Sequence, residues 1–287
     1  MRLILRYTFV LFIVAALQGC STLFTSKGPV ELKQVWASDN TLRTPESVLY
    51  DPERNMLYVS NINQSKDRKD GDGFISKLNP QGEIEELHWV TGLNNPKGMA
   101  LHNNVLYVSD VDEVVTIAVQ TGAILGRYEA EKSEALNDVT VDEEGNVYIS
   151  DMEEKAIYQM RNGRITHWLD TKREKPNGLY VDGNRMVVAF MSSGEVRTLD
   201  TENKEFKDLT DKISNADGIT KAGPDGYFVS NWDGEIYYVN MEGKKWKVLD
   251  TKAKNINAAD ITYSEETKLL YVPTFRDNRV VAYSVTY

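Results

Sequence analysis

The sequence predicts an all-β, six-bladed β-propeller. Three observations point to it: a repeat about 40 residues long, four short strand-forming segments in each repeat, and two chain ends that complement each other. The repeat reads TPESVLYDPERNMLYVSN, NPKGMALHNNVLYVSD, LNDVTVDEEGNVYISD, PNGLYVDGNRMVVAF, ADGITKAGPDGYFVSN and AADITYSEETKLLYVPT. It aligns Glu46, Lys97, Asn137, Asn177, Asp217 and Ala259 at intervals of 51, 40, 40, 40 and 42 residues. Each unit holds a short apolar segment, a polar or glycine-containing turn, and a second segment such as 57–60 or 147–150. Two further strand candidates follow, 74–78 with 83–89 in the first unit and 156–160 with 164–169 in the third. These segments are bounded by turn residues and none shows a helical period, so each unit is one blade.

The ends of the chain fix the blade number. The last unit, 259–287, has 29 residues, enough for three strands. Segment 31–36, ahead of the first unit, has the pattern of a fourth strand such as 245–249. Paired on the outer edge of the last unit, it completes a sixth blade, locks the two ends together and leaves only short edges exposed. The first strand therefore completes the last blade, and the propeller spans 30–287.

The first 29 residues stand apart from this repeat. Arg2 and Arg6 precede the apolar run TFVLFIVAAL, long enough for a signal peptide and short for a membrane-spanning helix. Leu17-Gln18-Gly19-Cys20 then resembles a bacterial lipobox, which implies a signal peptide over 1–19, lipidation of Cys20 and a tether over 20–29. Ser21 is compatible with sorting to the outer membrane. The expected location is the cell envelope, with the body in the periplasm and membrane contact through the lipid alone. Losing Arg2 and Arg6 takes the formal charge from -10 to -12.

Composition narrows the functions available. With 33 basic against 43 acidic residues the chain lacks the footprint of a nucleic-acid binder. A single cysteine excludes a disulfide framework and any cysteine-rich metal site. There is no G-x-S-x-G elbow and no phosphate-binding loop of the G-x-x-x-x-G-K type. Trp232-Asp233-Gly234 occurs once, without its Gly-His partner, and carries no weight as a WD signature. Tyr58, Tyr107, Tyr148, Phe228 and Tyr271, with Val187 in the fourth unit, recur in the second strand and are expected to pack between blades.

The remaining polar positions fall at one level of the fold. Innermost strands surround the channel of a propeller, so Glu46, Lys97, Asn137, Asn177, Asp217 and Ala259 form a ring at its mouth. They are flanked by the core-type residues Val48, Met99, Val139, Leu179, Ile219 and Ile261. Inward-facing polar groups require partners, water or an ion. Two carboxylates and two amides suit a hard divalent cation. His88, His102 and His167 lie outside the ring, which disfavours a histidine-rich zinc site.

Over about 31–287 the chain resembles the gluconolactonase, senescence-marker and luciferin-regenerating superfamily. The resemblance rests on the early Glu46 followed by 51–58, on Asn137-Asp138, on Pro176-Asn177-Gly178, and on Asp217-Gly218 followed by Pro224-Asp225-Gly226. It implies Glu46, Asn177 and Asp217 as ligands of one divalent cation, calcium favoured, with magnesium or zinc as alternatives. Asn137 would hold substrate or a water on the cation, and Asp217 would serve as general base. The function expected is a metal-dependent hydrolase of the lactonase or esterase type acting on a small polar lactone or ester. The alternative is a non-catalytic propeller that binds a small ligand, peptide or envelope protein at the channel mouth. A monomer is expected.

Two departures from the sugar lactonases stand out. Ser47-Val48 replaces their Gly-Pro, and Ala135-Leu136 precedes the N-D segment without an arginine. Lys97 places a cation at ring level, either to contact an anionic ligand or an oxyanion or to pair with Glu46. The extra length of the first unit falls mainly in 61–73. Asp67, Asp70 and Asp72 there miss the spacing of a helix-flanked calcium loop, so a solvated loop positioned to shape access to the mouth is expected.

Overall fold

The computed structural model describes residues 28–63 and 69–287. The predicted signal peptide, Cys20, Ser21 and most of the tether lie outside the described residues, as does Asp67. No helix among the described residues is long and apolar enough to cross a membrane.

Six four-stranded antiparallel sheets make up the fold, each meandering outward from the centre. The chain opens with β1 (Glu31–Ala37). Blade one is β2 (Pro45–Asp51), β3 (Met56–Asn61), β4 (Gly73–Leu78) and β5 (Ile84–Leu93). Blade two is β6 (Pro96–His102), β7 (Val105–Asp110), β8 (Glu113–Ala118) and β9 (Ala123–Glu129). Blade three is β10 (Leu136–Val141), β11 (Val147–Asp151), β12 (Ala156–Arg161) and β13 (Arg164–Asp170). Blade four is β14 (Pro176–Asp182), β15 (Arg185–Phe190), β16 (Val196–Asp200) and β17 (Phe206–Thr210). Blade five is β18 (Ala216–Lys221), β19 (Gly226–Asn231), β20 (Glu235–Asn240) and β21 (Lys245–Asp250). Blade six contains β22 (Thr262–Ser264), β23 (Leu269–Thr274) and β24 (Arg279–Thr286), and β1 completes it.

Closure follows the expected complementation. β1 pairs antiparallel with β24 from Glu31 opposite Thr286 to Ala37 opposite Val281. Trp36 ties this strand onward to blade one, its indole Nε1 donating to the Pro80 carbonyl at 3.0 Å. The innermost strand of blade six is shorter than the repeat implies, since Ala259 lies ahead of β22. Asp260 instead forms an isolated parallel bridge to Ser47 of blade one.

The core lies between the sheets. Tyr58, Tyr148, Val187, Phe228 and Tyr271 are buried at the repeated second-strand position, and Tyr107 is half-buried. Tyr58, Ile75 and Val90 of blade one pack with Met99, Val108 and Val115 of blade two. Phe228 and Ile236 of blade five meet Tyr263 and Val281 of blade six. Each such side chain contributes about 1.5–3 kcal/mol on leaving water, so blade-to-blade packing is the main stabilising term.

One local irregularity positions the site. In blades one to five the pairing of the innermost strand with its neighbour slips at the ring position, between Pro45 and Val48, Pro96 and Met99, Leu136 and Val139, Pro176 and Leu179, and Ala216 and Ile219. Such a slip is a β-bulge, which bends the strand and re-aims its side chains. The bulge deprives backbone groups of ladder partners, and second-strand serines supply substitutes. Ser60 Oγ accepts from the Ser47 N–H at 3.0 Å, Ser150 Oγ from Asp138 at 2.9 Å and Ser230 Oγ from Gly218 at 2.8 Å. The recurring serine before Asn or Asp is therefore part of the mould for the ring.

Candidate functional site

Glu46, Asn137, Asn177 and Asp217 are all buried, and Lys97 is half-buried beside them. Asn177 Nδ2 donates to Asp217 Oδ1 at 2.9 Å, joining blades four and five at ring level. Burial pushes the Glu46 carboxyl well above its ordinary range; Lys97 pulls it down, and Asp217 and Asp260 push it further up. Burial likewise raises Asp217 to about 7, reinforced by Asp260 and opposed by Lys97 and the Asn177 hydrogen bond. The charges of Glu46, Lys97 and Asp217 thus act on one another within one space.

Two atoms of this cluster are left without partners. Glu46 Oε2 and Asn177 Oδ1 are buried with no hydrogen bond, a cost of about 1–3 kcal/mol each. Both are oxygen acceptors, and they sit with a second carboxylate, so the donor set fits a hard divalent cation. Such a cation would satisfy both orphans and favour the ionised carboxylates that burial penalises. Among the described residues no three histidine, cysteine, aspartate or glutamate side chains form a metal-holding group. The candidate donor set in the ring is two carboxylates supplemented by an amide. Lys97 acts on the Glu46 carboxylate through space, lowering its pKa against the effect of burial. Asn137 turns its Nδ2 to Met152 Sδ at 2.7 Å.

Glycines set how closely the blades approach here. A Cβ on Gly178 would lie 2.0 Å from the Asp217 carbonyl oxygen, and one on Gly218 would lie 2.5 Å from Asp260 Oδ1. The residue after each of these ring positions must be glycine for the next innermost strand to pass. That is the physical content of the P-N-G and D-G segments.

Below the ring lie two further carboxylates, the buried Asp138 and the half-buried Asp260. Asp138 Oδ2 accepts from the Leu179 N–H of blade four at 2.6 Å and its Oδ1 accepts from Val139 at 2.7 Å. Asp260 Oδ2 accepts from Ser47 Oγ at 2.6 Å, while its own N–H donates to the Glu46 carbonyl at 3.0 Å. Burial raises both, Asp260 to about 7 and Asp138 well above its usual range. They line the floor of a cavity of about 290 Å³ walled by Met99, Val139, Leu179, Ile219 and Ile261, on the opposite side of the ring from the mouth. Hydrogen bonds between blades engage these two aspartates, whereas the orphaned acceptors belong to the ring. The one clue to them in sequence is position: both directly follow a ring residue, where other blades have serine or glycine.

The loop at the mouth is partly described. Asn63 Nδ2 donates to Asp72 Oδ2 at 3.1 Å, and Lys69 Nζ reaches Asp112 of blade two at 2.6 Å. His88, His102 and His167 fall on β5, β6 and β13, away from the ring.

The profile of the SMP-30/Gluconolactonase/LRE-like region matches residues 44–276, nearly the whole propeller. The chain belongs to this family. Among solved structures it is similar to a candidate gluconolactonase, with 14% identity, a TM-score of 0.70, and coverage of 91% of this chain and 93% of that one. It is also similar to a catalytically inactive histidine-to-alanine variant of virginiamycin B lyase from Staphylococcus aureus, solved with quinupristin. There the identity is 13% and the TM-score 0.63, covering 89% of this chain and 99% of that one. A streptogramin B lyase matches at 12% identity and a TM-score of 0.65, covering 90% and 97%. At these identities the likeness is one of fold. A search of curated proteins finds no match.

Proposed function

We infer that this family member is a metal-dependent hydrolase of the lactonase or esterase type, working on a small lactone or ester in the cell envelope. The observation that carries the reading is the pair of orphaned buried acceptors, Glu46 Oε2 and Asn177 Oδ1, beside the Asp217 carboxyl. Glu46, Asn177 and Asp217 would hold the cation, with calcium favoured by the all-oxygen donors. When bound, it supplies Lewis-acid polarisation of the substrate carbonyl.

The chain's own groups supply the rest. Asp217, kept ionised beside the cation, would accept a proton from an attacking water through its carboxylate. Lys97 stands at ring level to stabilise negative charge developing on the carbonyl oxygen. Asn137 would hold substrate once its amide leaves Met152. The lyase reading has less support, because no histidine of this chain lies at the ring.

Lys97 also favours a second reading, a non-catalytic propeller whose mouth binds an anionic ligand, peptide or envelope protein. β1 begins beside Thr286, at the end of the propeller opposite the ring. A lipid on Cys20 would hold that end to the membrane and leave the ring open to the periplasm.

A lactone panel assayed with calcium, magnesium or zinc, and then with chelator, tests the hydrolase reading. Turnover that requires metal and is lost in Asn177→Ala and Asp217→Ala is expected. Tight binding of an envelope partner, indifferent to chelation and to both substitutions, with no turnover, would replace it with the second reading.

A further inference from the structure

At the mouth end of the second strand of each blade, one residue past Asn61, Asp110, Asp151, Phe190, Asn231 and Thr274, stand Ile62, Val111, Met152, Met191, Trp232 and Phe275. All six are apolar. None belongs to the six apolar cores between the blades, and all except Val111 are only half-buried. Their register is shared: the N–H groups of Ile62, Met152, Met191 and Trp232 donate to Thr44, Ala135, Lys175 and Asn215, each two residues before a ring position. Two contacts tie members of this set to the ring and to one another. Met152 Sδ receives the amide of the ring residue Asn137 at 2.7 Å. Trp232 of blade five and Phe275 of blade six meet edge to face, 4.8 Å between centroids, across the gap between their blades.

A polar, charge-bearing floor rimmed by apolar side chains is complementary to an amphiphile. We propose that the collar of Ile62, Val111, Met152, Met191, Trp232 and Phe275 binds an apolar arm of the substrate, so that the site takes alkyl- or aryl-substituted lactones or esters in preference to sugar lactones. This assignment of substrate class rests on the hydrolase reading of the ring. A hydroxylated substrate would need polar partners at a rim where this chain presents the half-buried side chains of Met152, Met191, Trp232 and Phe275. The Trp232–Phe275 pair supplies the largest apolar contact and is expected to dominate.

The test is a homologous series: γ-butyrolactone, γ-hexalactone, γ-octalactone and γ-decalactone, with δ-gluconolactone as the polar comparison, at a fixed calcium concentration. In parallel, calorimetry measures binding of 3-alkylcyclopentanones, in which a methylene replaces the ring oxygen, so that they keep the shape and lack the scissile bond. The collar predicts kcat/KM rising about two- to fourfold per methylene, the range expected when a methylene is partly or fully removed from water. Trp232→Ala and Phe275→Ala should flatten that slope, and Met191→Ser, at a half-exposed rim position, should lower it without threatening the core. Turnover of γ-butyrolactone and δ-gluconolactone with no chain-length dependence would overturn the collar and leave the hydrolase reading standing. Chain-length-dependent binding of the cyclopentanones, lost in Trp232→Ala, with no turnover of any lactone, would support the collar and remove the hydrolase. Neither turnover nor chain-length-dependent binding would overturn the collar as well.

Discussion

Replacing Asp217 by asparagine should have an effect on stability that depends strongly on pH. In the folded protein the Asp217 carboxyl is raised to about 7 from an ordinary 3.8, chiefly by burial. A group raised on folding contributes stability that is fully present below its unfolded pKa and is lost as pH rises through its folded one. Here the window runs from about pH 4 to about pH 7. A rise of that size corresponds to about 4 kcal/mol at pH 8 in the absence of a cation. The substituted asparagine would keep the Oδ1 acceptor for Asn177 and carry no charge. Urea unfolding of the 28–287 body in chelator should therefore show D217N within about 1 kcal/mol of wild type at pH 4 and more stable by up to about 4 kcal/mol at pH 8. Calcium at about a hundred times its Kd should stabilise wild type by about 2.7 kcal/mol at pH 8 and leave the variant unmoved. A stability difference that is the same at both pH values would mean that the buried carboxylate carries no titration linked to folding, and would overturn this expectation.

Three more perturbations probe the blade contacts and the buried charges. Gly178→Ala drives a Cβ to 2.0 Å from the Asp217 carbonyl. It should cost more than about 2 kcal/mol in urea unfolding and weaken calcium binding measured by calorimetry, because the backbone that must move carries a ring residue. Deleting 28–37 uncovers the whole edge of β24. The unfolding midpoint should fall and size-exclusion chromatography should show soluble aggregates formed through that edge. Asp182 is pushed up by burial, but hydrogen bonds from Lys221, Tyr227 and Arg185 outweigh this and hold it at about 2. Its stabilisation is present above about pH 4 and lost as pH falls through about 2. With its partial exposure discounted, Asp182→Asn should cost about 1–2 kcal/mol at pH 7, and the gap should close near pH 2 in acid-unfolding measurements.

The architecture was legible because a propeller writes each blade into the chain as a separate repeat. The short last unit and the orphan segment at 31–36 then fixed both blade number and closure. The ring was legible because polar side chains recur where their neighbours Val48, Met99 and Leu179 are apolar. Less could be read around it. The bulges that re-aim Glu46, Asn137, Asn177 and Asp217 leave no trace in an alternating pattern, and their Ser60, Ser150 and Ser230 supports resemble ordinary strand-end residues. Asp138 and Asp260 look like solvated strand-end aspartates until the folded chain brings Leu179 and Ser47 against them. The collar was hidden in a similar way. Trp232 is uninformative as part of a Trp-Asp-Gly triplet, and its position becomes meaningful only beside Phe275, a full repeat away. The early start expected for the innermost strand of blade six failed because Asp260 is engaged with blade one instead of extending β22.

Whether the ring is a cation site is decided most simply by a crystal structure grown with calcium and read at the channel mouth. An ion held by Glu46, Asn177 and Asp217 at oxygen distances of about 2.3–2.6 Å is expected. A calcium-saturated crystal with no ion there and the Lys97 ammonium seated on Glu46 would show the opposite, a ring neutralised by its own lysine.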